Sequence, residues 1–278
     1  MARLILTVFA LTAYVVLFIV QDLDYTGRQA EIAFPLPARL QQAALGYLRQ
    51  LGGEIAFIRA SVFIGGVEPG RDPEGYAPAL SETFRTAALL HPPFVDTYYY
   101  VQSSLPHLSP HWASVANDIL AIGLDGAPEN WIIPFFMGFN QMRYLDDRLG
   151  ASRFYSLAAK RHGNSPVLEH LANLMAAEGG DIYASLVGLR AMLAGEENET
   201  VRKRYEEEIA ALEKAVTVIE AVHAFKKERG YLPTRLDELV PWYIQAIPDL
   251  GPRFVLSWEP PDVKVRRPMS MRPMETKR

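Results

Sequence analysis

Cysteine is absent from this chain of 278 residues. That absence excludes disulfide bonds, thiolate metal sites and a cysteine nucleophile. It is compatible with an oxidising compartment but does not require one. A surplus of basic charge is missing as well, because the formal net charge is −4. The composition therefore gives no general case for nucleic-acid binding, and we expect no nucleic-acid partner.

Motifs that carry chemistry are also lacking. The sequence contains no GxSxG, no P-loop, no HExxH and no dinucleotide-binding glycine pattern. His107 and His111 have a spacing that could bind a metal on a helix, but Pro106 and Pro110 predict a loop there. The carboxylates of YEEEIAAL lie on a helix with charges of both signs, which favours a solvated face. We predict no catalytic residues, no cofactor and no metal, and we do not expect an enzyme.

A long apolar run is present near the N-terminus. The seventeen residues from Leu4 to Val20 carry no charge, and as a helix they would extend roughly 26 Å, close to the hydrocarbon thickness of a bilayer. Arg3 precedes the run and three acidic residues follow it, which places the N-terminus in the cytoplasm. We predict an uncleaved single-pass anchor, residues 1–21, in a bacterial-type inner (plasma) membrane, with a periplasmic or extracytoplasmic body. A cleaved signal peptide is the alternative, but FIVQDLDY offers no small-x-small cleavage site.

The body after a linker at residues 22–37 has helical periodicity. The stretch from Pro35 to about Gly66 predicts a helix with a possible bend at Gly52-Gly53, and the loop VEPGRDPEG follows it. Its apolar residues at helical spacing are Leu40, Ala44, Tyr47, Leu48, Leu51, Ile55, Ile58 and Val62.

A three-position pattern then recurs through the middle of the chain. In the second helix of each predicted pair, a small or apolar residue is followed four positions later by a mostly bulky residue, and three positions after that by a small one. The instances are Leu80-Phe84-Ala87, Ala116-Leu120-Gly123, Ala151-Tyr155-Ala158 and Ala184-Gly188-Ala191. Their starts are 36, 35 and 33 residues apart, and Pro92 and Pro128 end the first two helices.

This pattern resembles the tetratricopeptide repeat, a helix–turn–helix unit of 34 residues. The resemblance covers residues 38–196 and implies a mainly α fold, an α-solenoid of about four helix pairs. Small residues let the two helices of a pair approach closely, and the bulky residue fills the space toward the next repeat. Gly163 and Glu196 stand where the third and fourth repeats would have Pro, and Gly188 takes a bulky position.

The resemblance also implies a binding groove, because first helices of such repeats line a concave face. The aromatic-rich stretch from Glu129 to Asp147 holds the first helix of the third repeat, and DTYYYVQSSL holds that of the second. Three consecutive Tyr residues cannot all point inward on a helix, so at least one should face solvent or the groove. Packing between repeats is the alternative role for each aromatic. The predicted protein-binding residues are Tyr98, Tyr99, Tyr100, Phe136, Asn140, Arg143 and Tyr144.

Residues 197–229 predict one long helix, which Gly230 ends. Residues 230–265 then contain G-x-x-P-x-x-L-x-E-L and Ile247-Pro248-Asp249. They resemble the segment after the long helix in type II secretion pseudopilins, which implies a small α+β cap: a turn, a short helix and a hairpin. RFVLSW and DVKV are its predicted strands, and EPPD is the turn. Asp249-Leu250-Gly251 departs from the Asp-Pro usual in that family, so no calcium role is carried over.

The chain ends in residues 266–278, which hold many Lys and Arg residues and predict a flexible basic tail. The tail is either solvated or in electrostatic contact with a partner or with anionic lipid head groups.

Taken together, these features predict an envelope-facing scaffold or adaptor that binds proteins, with secretion or pilus-type machinery as a possible client. The expected partners are one or more proteins, themselves membrane-associated, and the bilayer through Leu4–Val20. A constitutive subunit of a larger membrane complex is the second hypothesis. An envelope hydrolase is the third, and it requires a convergent polar cluster in a pocket that the sequence does not reveal.

Overall fold

The computed structural model of the protein describes residues 11–19, 32–67 and 70–268. These residues are mainly helical, with a two-stranded antiparallel sheet near the C-terminus, which confirms the predicted class at that level. Of the predicted anchor Leu4–Val20, residues 11–19 are helical and the others lie outside the described residues. Within the described ranges, no helix has both the length and the apolar character needed to cross a bilayer.

Ten helices and one hairpin follow residue 32 in the described part of the chain. The helices are α1 (Ala38–Leu45), α2 (Arg49–Gly66), α3 (Ala77–Leu90), α4 (Val95–Ser104), α5 (Pro110–Gly126), α6 (Ile132–Arg143), α7 (Arg148–Arg161), α8 (Pro166–Gly179), α9 (Ile182–Gly195) and α10 (Glu199–Arg229). The strands are β1 (Val255–Glu259) and β2 (Asp262–Arg266).

The chain divides into two compact units. Unit 1 ends at Pro128 and contains α1–α5, and unit 2 begins at Glu129 and contains α6–α10 with the hairpin. The division lies inside the segment 38–196 that the sequence assigns to one set of repeats.

Helix α3 lies at the centre of unit 1, where it contacts α1, α2, α4 and α5. The first two sequence triads lie on α3 and α5, and all six of their residues are buried. Gly126 ends α5 against Pro92, so closely that a Cβ at this position would lie 2.4 Å from the proline ring. Small side chains therefore permit the close helix contacts that hold this unit together.

The sequence predicts one helix at the start of the body, but the structure has two. The chain leaves helical geometry at Gly46, whose φ of +50° is available to glycine, and a 3-10 turn over Gly46–Leu48 leads into α2. Helix α2 continues without a break through Gly52 and Gly53, where the sequence suggests a possible bend. Gly53 instead allows close packing, since a Cβ there would lie 2.9 Å from the Cβ of His91. The buried side of α2 is formed by Gly53, Ala56, Ala60 and Phe63 rather than by the predicted apolar set.

In unit 2, each of the helices α6–α9 contacts the next helix along the chain. The triad Ala151-Tyr155-Ala158 on α7 is fully buried. Gly138 on α6 faces it, and a Cβ at Gly138 would lie 2.9 Å from the Tyr155 ring. Burial raises the pKa of Tyr155 to about 12. Asp147 begins α7 by accepting a hydrogen bond of 2.7 Å from the backbone N–H of Gly150.

The fourth triad, Ala184-Gly188-Ala191, is not the buried side of α9. Ala184 and Ala191 are exposed, and Gly188 lies at the edge against Asn173. Two positions earlier, the bulkier residues Ile182, Leu186 and Leu189 have the same spacing and pack against α10. These side chains bury more apolar area than alanine does, which accounts for the rotation of α9.

Helix α10 and the C-terminal cap follow the sequence closely. Asn198 caps α10 by accepting from the backbone N–H groups of Thr200 and Val201, and Gly230 ends it with a φ of +81°. A 3-10 turn at Leu236–Leu239 precedes the hairpin, whose strands pair in the register Glu259↔Asp262 around Pro260-Pro261. The predicted hairpin is thus observed, and a 3-10 turn of four residues lies where the short helix was predicted.

The beginning of the predicted tail is ordered. Arg266 is the last residue of β2 and lies 2.7 Å from Glu259, and Arg267 pairs with Glu178 on α8. Residues 269–278 lie outside the described ranges.

Candidate functional site

The predicted groove residues of unit 1 lie on α4 and divide into two groups. Tyr98 is completely buried, and its hydroxyl donates a hydrogen bond of 2.7 Å to the carbonyl oxygen of Pro92. Burial also raises the pKa of Tyr98 above its ordinary value. Tyr99 and Tyr100 are about 40% exposed, and Tyr100 stacks edge-to-face on Phe57 with 5.0 Å between ring centroids. Tyr98 therefore supports the fold, whereas the other two tyrosines are accessible.

The predicted groove residues of unit 2 divide in the same way. Asn140 is completely buried on α6, so it is not available to a partner. Phe136 and Tyr144 are half-buried, while Arg143 is exposed and its guanidinium lies 5.9 Å from the Tyr144 ring centroid. The helical spacing of Asn140 from Met137 places it on the packed side, a detail that composition alone does not reveal.

Four apolar residues that the sequence places at helical spacing on α2 form an exposed surface, which sequence reasoning did not foresee. Four side chains on this helix point away from α3 and are between 40% and 55% exposed. Together they define the α2 apolar face: Leu51, Ile55, Ile58 and Val62. The signal was present in the sequence, because α2 has apolar residues on two opposite sides.

A second apolar surface lies on α9, opposite the side that packs on α10. We call it the α9 apolar face; it consists of Tyr183, Ala184, Val187 and Ala191. Tyr183 is 50% exposed and Val187 is 69% exposed.

The chain segments that flank α9 are rich in acidic residues, while Arg202 lies at the C-terminal end of the helix, where it donates to the carbonyl oxygens of Leu193 and Glu196. Four acidic residues occur between residues 181 and 199, against one basic residue, Arg190. Arg190 is itself paired with Glu213 at 2.7 Å. An apolar face with an acidic border is suited to a partner surface that is apolar and basic.

Buried charges in unit 2 join the hairpin to α8. Glu178 is only 3% exposed and lies 3.4 Å from Arg148 and 2.8 Å from Arg267. Two guanidinium groups therefore compensate one buried carboxylate, which would otherwise be costly to bury. This arrangement fixes the end of β2 against the helices.

A second buried carboxylate lies nearby. Glu208 on α10 accepts a hydrogen bond of 2.6 Å from Nε2 of His170. Glu178, Glu208 and Ser185 line a cavity of about 10 Å³, and Ser185 Oγ has no hydrogen-bond partner among the described residues. The cavity has room for roughly one water molecule, far less than a ligand pocket.

Comparison with protein-family models, with curated proteins and with solved structures gives no match for this chain. In the described ranges, no three His, Asp or Glu side chains are placed to hold a metal ion. His107 lies in the turn before α5 and His111 lies in its first turn.

Proposed function

We propose that this protein is a membrane-anchored, envelope-facing scaffold or adaptor of tetratricopeptide-like helix pairs, which binds a partner protein through the α9 apolar face. The observation that supports this proposal is the rotation of α9. Its bulky residues pack on α10, which leaves Tyr183, Val187 and the small residues Ala184 and Ala191 on the outer side. A continuous exposed apolar helix face with small residues lets another helix approach closely.

The partner that best suits this face is an amphipathic helix with basic flanks. Its apolar side would pack between Tyr183 and Val187, where the aromatic ring supplies a large contact area with few rotatable bonds. Basic residues on its flanks would meet Asp181 at one end of α9 and Glu196, Glu197 and Glu199 at the other. The acidic border disfavours an anionic lipid surface at the same place.

Two sequence features suggest where the partner is found. The apolar run Leu4–Val20 supports anchoring in the inner membrane, which would raise the local concentration of the body near membrane-associated proteins. The resemblance of residues 230–265 to pseudopilin tails favours secretion or pilus-type machinery as the client. The accessible groove residues Tyr99, Tyr100, Arg143 and Tyr144 are proposed as additional contacts.

Photocrosslinking in intact membranes tests the proposal. A photoreactive amino acid replaces Val187 on the α9 apolar face or, as a matched control, Val167 on α8, which is 76% exposed. We expect one protein adduct to dominate at position 187 and to be absent at position 167. Glu196→Lys combined with Glu197→Lys should reduce that adduct, because the substitutions reverse charge beside the face.

Identical adducts at positions 187 and 167 would contradict binding through α9. The second hypothesis, a constitutive subunit, differs in what happens without the partner. A protein with a permanently covered α9 face should aggregate or be degraded when the crosslinked partner is depleted. An adaptor should remain folded and monodisperse.

A further inference from the structure

The segment that joins α9 to α10 contains an acceptor motif for N-linked sugars. The motif is an asparagine followed two positions later by serine or threonine, with any residue except proline between them. Asn198, Glu199 and Thr200 match it. Of the six asparagines in the chain, Asn198 alone has serine or threonine at the second position after it. A motif this short also occurs by chance, so its neighbours and its place in the fold decide whether it can act as an acceptor.

The residue two positions before the asparagine narrows the match. Oligosaccharyltransferases of the bacterial type select an acidic residue there, and Glu196 occupies that position. Its Oε1 accepts a hydrogen bond of 2.9 Å from the backbone N–H of Asn198. The chain therefore satisfies the longer acceptor pattern, acidic residue–x–Asn–x–Ser or Thr, around this one asparagine.

Asn198 lies where a transferase can reach it. Asn198 and Thr200 are both exposed, and the segment begins directly after Gly195, the last residue of α9. A surface position is needed because the attached sugar is bulky and solvated. Asn164 is also exposed in a loop, but Pro166 stands where the motif requires serine or threonine. Exposure and the motif therefore coincide at Asn198 and not at Asn164.

The role of Asn198 as the cap of α10 leaves its reacting atom available. The cap uses Oδ1, which accepts hydrogen bonds from the backbone N–H groups of Thr200 at 3.0 Å and Val201 at 3.2 Å. Among the residues that the structure describes, Nδ2 of Asn198 has no hydrogen-bond partner. An N-linked sugar is attached through Nδ2 and preserves the carbonyl oxygen of the amide. A modified Asn198 can therefore still cap α10.

We propose that Asn198 is an N-glycosylation site whose sugar donor is a polyprenyl-diphosphate-linked oligosaccharide. In the transfer, which a separate oligosaccharyltransferase catalyses, Nδ2 of Asn198 attacks C1 of the first sugar. The bond between C1 and the diphosphate oxygen breaks, and the polyprenyl diphosphate leaves with the bonding electrons. Nδ2 loses one proton to a base of the transferase as the C–N bond forms.

The modification rests on the envelope-facing placement of the body in the proposed function, because oligosaccharyltransferases use these donors on the extracytoplasmic side of the membrane. It does not rest on partner binding through the α9 apolar face. That contact uses Tyr183 and Val187, whereas the sugar would be attached three residues beyond the end of α9. The glycan and the partner contact can therefore be tested separately.

Mass spectrometry of the full chain purified from its native membranes tests the proposal. Trypsin cleaves after Arg190 and Arg202 and releases a peptide of residues 191–202, in which Asn198 is the only asparagine. We expect this peptide to be found with the added mass of an oligosaccharide. Asn198→Asp should abolish the added mass while preserving an oxygen that caps α10. Thr200→Val should abolish it as well, whereas Thr200→Ser and the control Asn164→Gln should retain it.

A peptide of residues 191–202 that is entirely unmodified would overturn the proposal, as would added mass that persists in Asn198→Asp or Thr200→Val. The absence of native cysteine allows the placement of the body to be measured in parallel. Asp118→Cys introduces a thiol at an exposed position of α5, and a membrane-impermeant maleimide is applied to spheroplasts. Labelling of position 118 with an unmodified Asn198 contradicts the glycosylation alone. No labelling with an unmodified Asn198 contradicts both the glycosylation and the envelope-facing placement.

Discussion

Individual side chains in this protein have roles that their chemistry alone does not reveal. Asn140 and Arg143 lie three positions apart on α6 and were predicted as a pair of groove residues, yet one is buried and the other is exposed. Similarly, Tyr98 is buried while Tyr99 and Tyr100 are accessible. Residue type therefore predicts the capacity for contact, whereas the position around the helix determines which contact is made.

We expect Asn140→Ala and Arg143→Ala to separate stability from binding. Asn140→Ala should lower the free energy of unfolding by about 1–3 kcal/mol, because it removes a buried polar group and leaves its surroundings unpaired. Arg143→Ala should change it by no more than about 0.5 kcal/mol, as is usual for an exposed side chain. Urea denaturation followed by circular dichroism measures both. Equal effects of the two substitutions would contradict the burial that distinguishes them.

At the scale of elements, close helix contacts depend on glycine and alanine at defined positions. The contact of α6 with α7 places Gly138 against Tyr155 and the carbonyl oxygen of Ala151. Such contacts were predictable from the small–bulky–small pattern for three triads. The fourth was not, because α9 has two apolar sides and the neighbouring α10 determines which side is buried.

Gly138→Ala should destabilise the protein by about 1–3 kcal/mol, because the added methyl group lies within 3 Å of the Tyr155 ring. The matched control is Gly65→Ala in α2, where a Cβ meets no atom within 4 Å. Alanine is the better helix former there, so the control should be neutral or stabilising by up to about 1 kcal/mol. Thermal unfolding compares the two, and a destabilising control with a neutral Gly138→Ala would show that the close contact is wrongly placed.

The hairpin provides a pH-dependent contribution to stability. The Lys264 ammonium, hydrogen-bonded to Glu259, together with Arg266, holds the pKa of the Glu259 carboxyl below its usual value in the folded state. This contribution is fully present above the pKa of the unfolded chain and is lost as the pH falls through the folded pKa. Glu259→Gln should therefore lower stability at neutral pH by less than about 1 kcal/mol, since the side chain is 41% exposed.

The difference between Glu259→Gln and the unsubstituted protein should shrink as the pH falls toward 3. Urea denaturation at several pH values gives this difference. A stability difference that stays constant or widens as the pH falls would show that the charge of Glu259 does not contribute to stability.

Over the whole molecule, features set by residues close together in the sequence were predicted better than features set by contacts between distant parts of the chain. The glycine that ends α10 and the hairpin around Pro260-Pro261 are set by nearby residues, and each is observed where the sequence placed it. The division of the chain into two units at Pro128 and the exposed apolar faces of α2 and α9 depend on which helices pack against each other. When a helix is apolar on both sides, its periodicity does not predict which side will be buried.

The exposed apolar face of α9 also connects the fold to the proposed function. The chain segments that flank α9 are rich in acidic residues, which suits a partner protein with basic flanks. Binding through α9 is the central claim.

The affinity of the purified protein for the partner crosslinked at position 187 tests that claim most directly. The dissociation constant is measured for the unsubstituted protein, for Val187→Asp and for the exposed control Val167→Asp, each with its melting temperature. We predict at least a tenfold weaker affinity for Val187→Asp alone, with all three melting temperatures within about 2 °C, because an exposed position tolerates charge but a contact surface does not. Equal affinities of Val187→Asp and Val167→Asp for the partner would contradict the account.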